Sequence, residues 1–542
     1  MSSPLKQPNV GVASLIMVAS LFLSRVLGLV REAVIAGKFG ANELTDAYKL
    51  SFSVPDLIFF LIAGGALSSA FIPVFSKLIH THRRDEAWHV FSVVVTVMSS
   101  ALIVAIALAM LFAEPLSVLV AGGKSPETIR LIAYSSRILL PAQFAFLIGA
   151  ILFGTLYAHQ RFAVPGLGPN VYNIGIIVGA VFLSAFVTPA VFGMSWGALV
   201  GAVIGSFVIP LVAMRGIGAQ YRITFDVKHP EVKQVFKLML PVLLGLSLPG
   251  VYQLIMQRYA SFNPDQGFNS NLDYANRIMQ APLAVFGQSL ALAVFPALSQ
   301  FLAQNQLNAY RQQVMSTLRT CLFITLPLAA VIFVLAPEIV QVLFQRGAFT
   351  DGDTAVVARC LQFFCIGIPA WCLHPILMRA FFARQDTVTP TLVGTAITAV
   401  FFAFMLALLA TPLEYYGLPL AGSLSAIVLA VIMLWVLQAK VGELQMGAFV
   451  VTVGKTALIA VVVAITLSIG LHFAPPSSSF LAAALRLGLG GILAGWVVVW
   501  AARLLKMPEV KTLDRALARL DRRKAQSQAE EAANLGGDLD ER

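Results

Sequence analysis

The run WHVFSVVVTVMSSALIVAIALAMLFA, Trp88–Ala113, holds no aspartate, glutamate, lysine or arginine. A helix that crosses a bilayer needs about 20 mostly apolar residues to span a hydrocarbon core roughly 30 Å thick, and this stretch is longer than that. The chain as a whole has the same character. Of its 542 residues 58% are hydrophobic and 12% charged, and the mean hydropathy is +0.84. Soluble domains run roughly 45–50% apolar and about 25% charged. So little charge cannot cover so much apolar surface in water, and the sequence reads as an all-α polytopic membrane protein.

Comparable runs lie near 11–36, 47–75, 129–157, 164–187, 193–214, 233–261, 272–301, 316–344, 355–383, 388–411, 417–438, 447–472 and 480–504, which makes about 14 expected spans. The first is expected to be a retained helix, because no small-residue cleavage site precedes Arg25 and further spans follow. With the N-terminus inside, the inner loops hold Lys77, Arg83, Arg84, Arg161, Arg215, Arg222, Lys228, Lys233, Arg311, Arg384 and Lys440. The outer loops hold Lys38, Lys124, Arg130, Arg258 and Arg346. This excess of inner cations follows the positive-inside rule, and an even span count puts the C-terminus inside as well. The net charge of +11 is thus assigned to orientation beside anionic lipid. No basic stripe with interleaved aromatics appears, so no nucleic-acid partner is expected.

The halves echo each other. Asp46-Ala-Tyr…Pro55 matches Asp273-Tyr-Ala…Pro282 at equal spacing, and Tyr157-Ala-His-Gln…Pro165 matches Phe382-Ala-Arg-Gln…Pro390. Phe71-Ile-Pro73, Ala87-Trp88 and Leu140-Pro-Ala142 find counterparts in Phe295-Pro296, Ala309-Tyr310 and Ile368-Pro-Ala370. The order is kept, and the offset spans six helices, an even number. Two parallel six-helix repeats around a central cavity are expected, a transporter architecture with the substrate site between halves. The expected divisions are an N-lobe at 1–214, a cytoplasmic linker at 215–232, a C-lobe at 233–440, two further helices at 441–505 and a cytoplasmic tail at 506–542. In the tail Leu513, Leu517 and Leu520 share a helical face beside Arg515, Arg519, Arg522, Arg523 and Lys524, the pattern of a short amphipathic helix on the inner leaflet.

Ionisable residues inside spans are costly and usually face a cavity or a partner. The first span carries Arg25, Arg31 and Glu32, the second opens with Asp46 and Lys49, and the eighth carries Arg277 near its start. Such a cluster suits an anion, because guanidinium groups grip phosphate oxygens with forked, charge-assisted hydrogen bonds. Snorkelling of Arg31 and Arg277 to headgroups is the competing reading. Arg137, Arg379, Lys455 and Arg486 are expected to meet helix ends or lipid phosphate. Cys321, Cys360, Cys365 and Cys372 lie in apolar segments without a C-x-x-C pair and read as small buried hydrophobes. No metal-ligand spacing, Gly-rich phosphate loop or nucleophile–base pair is found, and the outer loops are short. A transporter is favoured over an enzyme.

Ser24-Arg-Val-Leu-Gly28 followed by Arg31-Glu32, Thr45-Asp-Ala-Tyr48, Gly65-Ala-Leu-Ser68 through Phe71-Ile-Pro73, Gln345-Arg-Gly-Ala-Phe-Thr350 and Arg384-Gln-Asp-Thr387 resemble motifs of the MurJ lipid II flippases. These belong to the multidrug/oligosaccharidyl-lipid/polysaccharide exporter superfamily. The resemblance covers roughly the first 440 residues. It implies two six-helix lobes that open alternately to each side of a bacterial plasma membrane, and a lipid-tail groove on the last two helices. It implies translocation of lipid II, the undecaprenyl-pyrophosphate-linked peptidoglycan precursor, from inner to outer leaflet. Arg25, Arg31 and Arg277 would hold the pyrophosphate, with Glu32 and Asp46 beside them. Membrane lipids and the peptidoglycan-synthesis machinery are the implied partners. The chain departs from the family pattern at Phe59-Phe60, Gly64, Asn276 and Gln280, where members often carry charges. No acid lies in the seventh or eleventh span, so a sodium site is not expected. No cofactor is expected either, and the membrane potential is the candidate driver. Another undecaprenyl-linked oligosaccharide (an O-antigen or exopolysaccharide unit) as cargo, and a non-transporting scaffold, are the alternatives.

Overall fold

The structure, a computed structural model, describes residues 10–62, 66–159, 161, 163–474 and 479–510. The tail expected to be amphipathic and the Gly64 stretch lie outside the described residues, as does the side chain of Phe60.

The described residues form helices, with no strand among them. They run α1 Val10–Phe39, α2 Glu43–Leu50, α3 Ser53–Ile62, α4 Ala66–His80, α5 Arg84–Leu111, α6 Ala113–Ala121, α7 Pro126–Ala158, α8 Ala163–Val181, α9 Val191–Ala202, α10 Ile209–Arg215 and α11 Pro230–Ala260. After these come α12 Phe268–Pro282, α13 Ser289–Ala303, α14 Leu307–Val334, α15 Ala336–Phe344, α16 Asp351–Cys365, α17 Ile368–Ala383, α18 Val388–Leu409, α19 Gly417–Val441, α20 Met446–Phe473 and α21 Phe480–Leu504. Among the described residues ten helices are long and apolar enough to cross a membrane, and α16–α17, bent by 49°, makes an eleventh if counted as one span. The other three expected spans fall on α1, on α2–α4 and on α11, in each of which some side chains are not described.

The repeat is visible in the order of elements. α5 has 28 residues and is followed by α6 with nine. α14 has 28 residues and is followed by α15 with nine. Both breaks precede a proline in the next helix's first turn, Pro115 and Pro337, where a missing N–H costs least. Each pair is entered through a residue in the left-handed region, His82 (φ 60°) before α5 and Asn305 (φ 57°) before α14.

The second expected span is not one helix. It breaks at Ser51-Phe52, between α2 and α3. Pro55 has no N–H to give to the carbonyl of Ser51, and the Ser136 hydroxyl donates to that carbonyl instead, at 2.9 Å. A freed backbone group inside a membrane protein needs such a partner.

The chain forms two compact units. One comprises residues up to Ile278 with Val340–Phe364 and Thr391–Ser425; the other comprises Met279–Ile339, Cys365–Pro390 and the chain from Ala426 onward. In the first, Phe71 stacks on Phe75 with ring centroids 5.1 Å apart, and Trp88 meets Phe75 and Phe91 edge-on. Also in this unit, α8 and α9 touch backbone to backbone. A Cβ added to Gly197 would sit 2.3 Å from the Gly175 carbonyl oxygen, and one on Gly179 would sit 2.4 Å from that of Gly193. Small residues permit this close approach where lipid supplies no hydrophobic drive between helices.

In the second unit α14, α20 and α21 share a core that includes Phe323, Ile459, Val463 and Val497. Two ion pairs are built into it, Arg319–Glu509 at 2.8 Å and Arg486–Glu338 at 3.1 Å. Lys455 donates to the Leu505 carbonyl at 2.8 Å, and Arg379 lies 5.2 Å from the Phe295 ring centroid. In the first unit Arg137 donates to the Met110 carbonyl near the end of α5 at 3.1 Å. Helix ends, acids and rings thus account for these intramembrane cations.

Candidate functional site

The first unit encloses a cavity of about 420 Å³ lined from α1, α2, α3, α7, α8, α11 and α12. Its charged lining is Arg31, Glu32, Lys49, Asp56, Asp273 and Arg277. Phe59, Phe146 and Tyr172 form apolar wall, with Phe59 edge-on to Phe146 and Phe146 edge-on to Tyr172. Gln143, Gln253 and Gln257 add polar groups.

Glu32 is the hub. It is 2% exposed and lies 2.5 Å from the guanidinium of Arg31. Lys49 donates to its other oxygen, and the Arg277 Nε stands 3.9 Å away. Lys49 bridges onward to Asp273 at 2.8 Å. Asp273 also meets Arg277 at 3.5 Å, one helical turn along α12. The second fork of Arg31 donates to the Asn173 side-chain oxygen at 3.0 Å, and Asn173 donates in turn to the Ser24 carbonyl at 3.2 Å. Lys49 also sits 4.6 Å from the Tyr274 ring centroid, a cation–π contact.

The arrangement follows from local structure. Arg31 and Glu32 stand on the same turn of α1. Lys49 is on the last turn of α2, where its charge also suits the helix dipole. Asp273 and Arg277 are four residues apart on α12. Three cations face three carboxylates, so the formal charge of the cavity sums to zero. The cations are not equally engaged. The side chain of Arg277 is 43% exposed and its contacts are long, whereas those of Arg31 and Lys49 are 12% and 8% exposed and closely held.

The structure therefore brings together Arg31, Glu32, Lys49 and Arg277 of the residues singled out in the sequence. Arg25 is on α1 and exposed, outside the cavity lining. Asp46 is buried elsewhere. It accepts from Lys124 Nζ at 2.6 Å, from the backbone N–H groups of Ser270 at 2.7 Å and Gly267 at 3.1 Å, and from the Ser270 hydroxyl at 2.6 Å. Gly267 has φ +82°, and a Cβ there would meet the Ala41 carbonyl oxygen at 2.2 Å, so only glycine fits this turn. Asp56 and Asp273 are cavity acids that sequence reasoning did not assign. Asp273 had a signal, its alignment with Asp46 in the repeat. Where family members often carry charge, Phe59 is part of the wall, and Asn276 is half-buried beside Lys49 and Asp273. The cavity takes its charges from neighbouring positions instead.

Comparison with known proteins adds the family. Residues 35–483 match the family model described as Lipid II flippase MurJ; Arg31 and Glu32 precede the matched region. The probable lipid II flippase MurJ of Rhizobium meliloti (strain 1021) is 30% identical over 386 residues, covering 70% of this chain and 71% of that protein. The corresponding protein of Rickettsia prowazekii (strain Madrid E) is 28% identical over 416 residues, covering 76% and 81%. Among solved structures, a lipid II flippase MurJ in an inward closed conformation has the same fold, with a TM-score of 0.75 at 24% identity over 91% of this chain and 99% of that one. An inward-facing multidrug resistance MATE transporter of the MOP superfamily follows at 0.65 and 12% identity, covering 79% and 98%. With most of its length matched by the family model, a charged cavity and a fold shared with a solved member, this chain belongs to the MurJ lipid II flippase family.

Proposed function

We propose that this chain is a lipid II flippase that carries the undecaprenyl-pyrophosphate-linked precursor from the inner to the outer leaflet of a bacterial plasma membrane by alternating access. Family membership supplies the cargo class. The observation that carries the mechanism is the cavity network of Arg31, Glu32, Lys49, Asp273 and Arg277. It is a transporter's site rather than an enzyme's: the groups present bind and neutralise, and no bond needs to break.

A pyrophosphate diester is a dianion. Arg277, the least engaged cation, makes the first fork-shaped contact. Lys49 and Arg31 are then shared between the phosphate oxygens and the carboxylates of Glu32 and Asp273. Sharing leaves neither the buried cations nor the buried carboxylates unpaired, which avoids the several kcal/mol that an uncompensated buried charge costs. The polar glycan–peptide head occupies the cavity while the prenyl chain stays in lipid. The exposed apolar rows Leu458, Val461, Ile465 and Ile469 on α20, and Leu485, Leu489 and Ile492 on α21, suit that chain. Both termini are on the cytoplasmic side in this reading. A dianion leaving an inside-negative cell gains about 4.6 kcal/mol per 100 mV, so the membrane potential drives export without a bound cation. The peptidoglycan-synthesis machinery is the proposed protein partner.

The test is complementation. A bacterium depleted of its own lipid II flippase expresses this chain, and lipid II on the outer leaflet is measured with an impermeant probe. Restored exposure, lost in Arg277→Ala at equal membrane content, supports the assignment. An inserted wild type that restores nothing removes lipid II as the cargo. Phe59 in the cavity wall favours a second reading, another undecaprenyl-linked glycan, tested in the same format.

A further inference from the structure

The connection between α10 and α11 lies against α5 as a strap. Arg84 donates to the Ile217 carbonyl at 2.8 Å, the Arg222 N–H donates to the Ser92 hydroxyl at 3.1 Å, and the Thr96 and Tyr221 hydroxyls lie 3.2 Å apart. Asp226 pairs with His89 at 3.1 Å. The strap covers α5 from Trp88 to about Ser100, which is buried or half-buried, while beyond it Ile103, Val104 and Leu108 are exposed.

Much of the strap's exposed surface is apolar: Tyr221, Ile223, Phe225 and Val227 are 51%, 77%, 61% and 45% exposed. Four such residues in a row on a water-facing loop would be an unusual liability. Beside them stand Arg215, Arg222, Lys228 and Lys233, all exposed and with no carboxylate partner among the described residues. The neighbouring acids are already engaged, Asp226 by His89 and Glu231 by Lys77 and Arg83.

Depth agrees with this pattern. At 1.5 Å per residue the 28 residues of α5 run about 42 Å, roughly 12 Å beyond the hydrocarbon core. Centred in the bilayer, α5 keeps its first four residues or so clear of the core. Ser92 and Thr96, which hold the strap, then lie about 6–12 Å inside the core's edge. Amphipathic anchors bury their apolar face to a similar depth, roughly 5–10 Å into the headgroup–acyl boundary.

We propose that residues 220–228 form an interfacial membrane anchor, with Tyr221, Ile223, Phe225 and Val227 in the acyl boundary and Arg215, Arg222, Lys228 and Lys233 on anionic headgroups. The inference rests on the chain's spanning a membrane and is independent of its cargo. The full chain is reconstituted in vesicles of phosphatidylcholine with and without phosphatidylglycerol. Single nitroxide labels are placed through Ile223→Cys, Phe225→Cys, Arg222→Cys and Lys228→Cys. The native cysteines are buried, and wild type treated with the same reagent sets the background. The expected result is that oxygen relaxes the labels at 223 and 225 more strongly than an aqueous nickel complex does, that the order reverses at 222 and 228, and that phosphatidylglycerol deepens 223 and 225. Greater nickel access at all four positions overturns the proposal. So does shielding of 223 and 225 from both reagents, which would mean that protein rather than lipid covers this face.

Discussion

Asp46 and Asp273 occupy equivalent places in the two repeats, yet one is locked and the other is shared. Asp46 is fully buried, and four donors, Lys124 Nζ, two backbone N–H groups and one hydroxyl, converge on it. Asp273 stands at the cavity wall between Lys49 and Arg277, neither of which belongs to it alone. A carboxylate that accepts from fixed backbone N–H groups stabilises one arrangement. A carboxylate held by mobile side-chain cations can exchange them for another anion. The repeat duplicates the residue, and the donors around each copy divide the roles.

Five variants follow, in falling order of expected effect, most of them bearing directly on this contrast. Asp46→Ala strands a Lys124 side chain that is 7% exposed and removes the anchor of residues 267–270. A loss of about 3–5 kcal/mol is expected, the usual result of breaking a buried pair from one side. Denaturation in detergent measures it, and an unchanged midpoint would mean that the four donors are not what holds this region. Arg277→Ala should leave stability within about 1 kcal/mol, because its side chain is 43% exposed. Its transport should fall by roughly two orders of magnitude, the equivalent of about 3 kcal/mol for lost hydrogen bonds to a charged group. Transport near wild type would take Arg277 out of the binding step.

Lys49→Met leaves Glu32 and Asp273 without their shared cation, and a cost of roughly 2–3 kcal/mol is expected. Adding Asp273→Asn should recover much of that stability while transport stays low, which separates packing from binding by a double-mutant cycle. Additive losses would show that the two residues do not act through each other. The smallest effect belongs to Asp386, in the connection between α17 and α18, which pairs at 2.5 Å with Lys440 at the end of α19. Partial burial pushes the Asp386 carboxyl up, but hydrogen bonds from Lys440 and Thr389 outweigh it and hold the group below its ordinary range. A depressed carboxylate stabilises the fold above its unfolded pKa, and that contribution fades as the pH falls through the folded value. The pair is partly exposed, so less than about 1 kcal/mol is at stake. Asp386→Asn should flatten this acid-side slope, read from melting temperature against pH.

The sequence reading reached the membrane class through runs such as Trp88–Ala113, and the repeat through Asp46 and Asp273 in matching contexts. Arg31, Glu32 and Arg277 were legible because a charge inside an apolar run needs a reason. The break at Ser51-Phe52 was not, since it depends on Ser136 reaching a carbonyl 85 positions earlier in the chain. Asp56 escaped notice near the start of a span, where an acid is ordinary helix-terminal polarity. The burial of Asp46 was equally hidden, because Gly267 and Ser270 reach it through a turn that only the folded chain brings near. The apolar row of the strap was not legible within the cytoplasmic linker, because Arg222, Thr224, Asp226 and Lys228 interrupt it at every second position.

The glycine-lined seam between α8 and α9 has a mechanical consequence. With backbones in contact at Gly175, Gly179, Gly193 and Gly197, the two helices have little room to slide past each other at this seam. The pair is a double-width board that must tilt as one piece. Asn173, which holds one fork of Arg31, is fixed to that board, as is Tyr172 in the cavity wall. A shift of α9 is thus carried with α8 to Asn173, and through it to the aim of the Arg31 guanidinium.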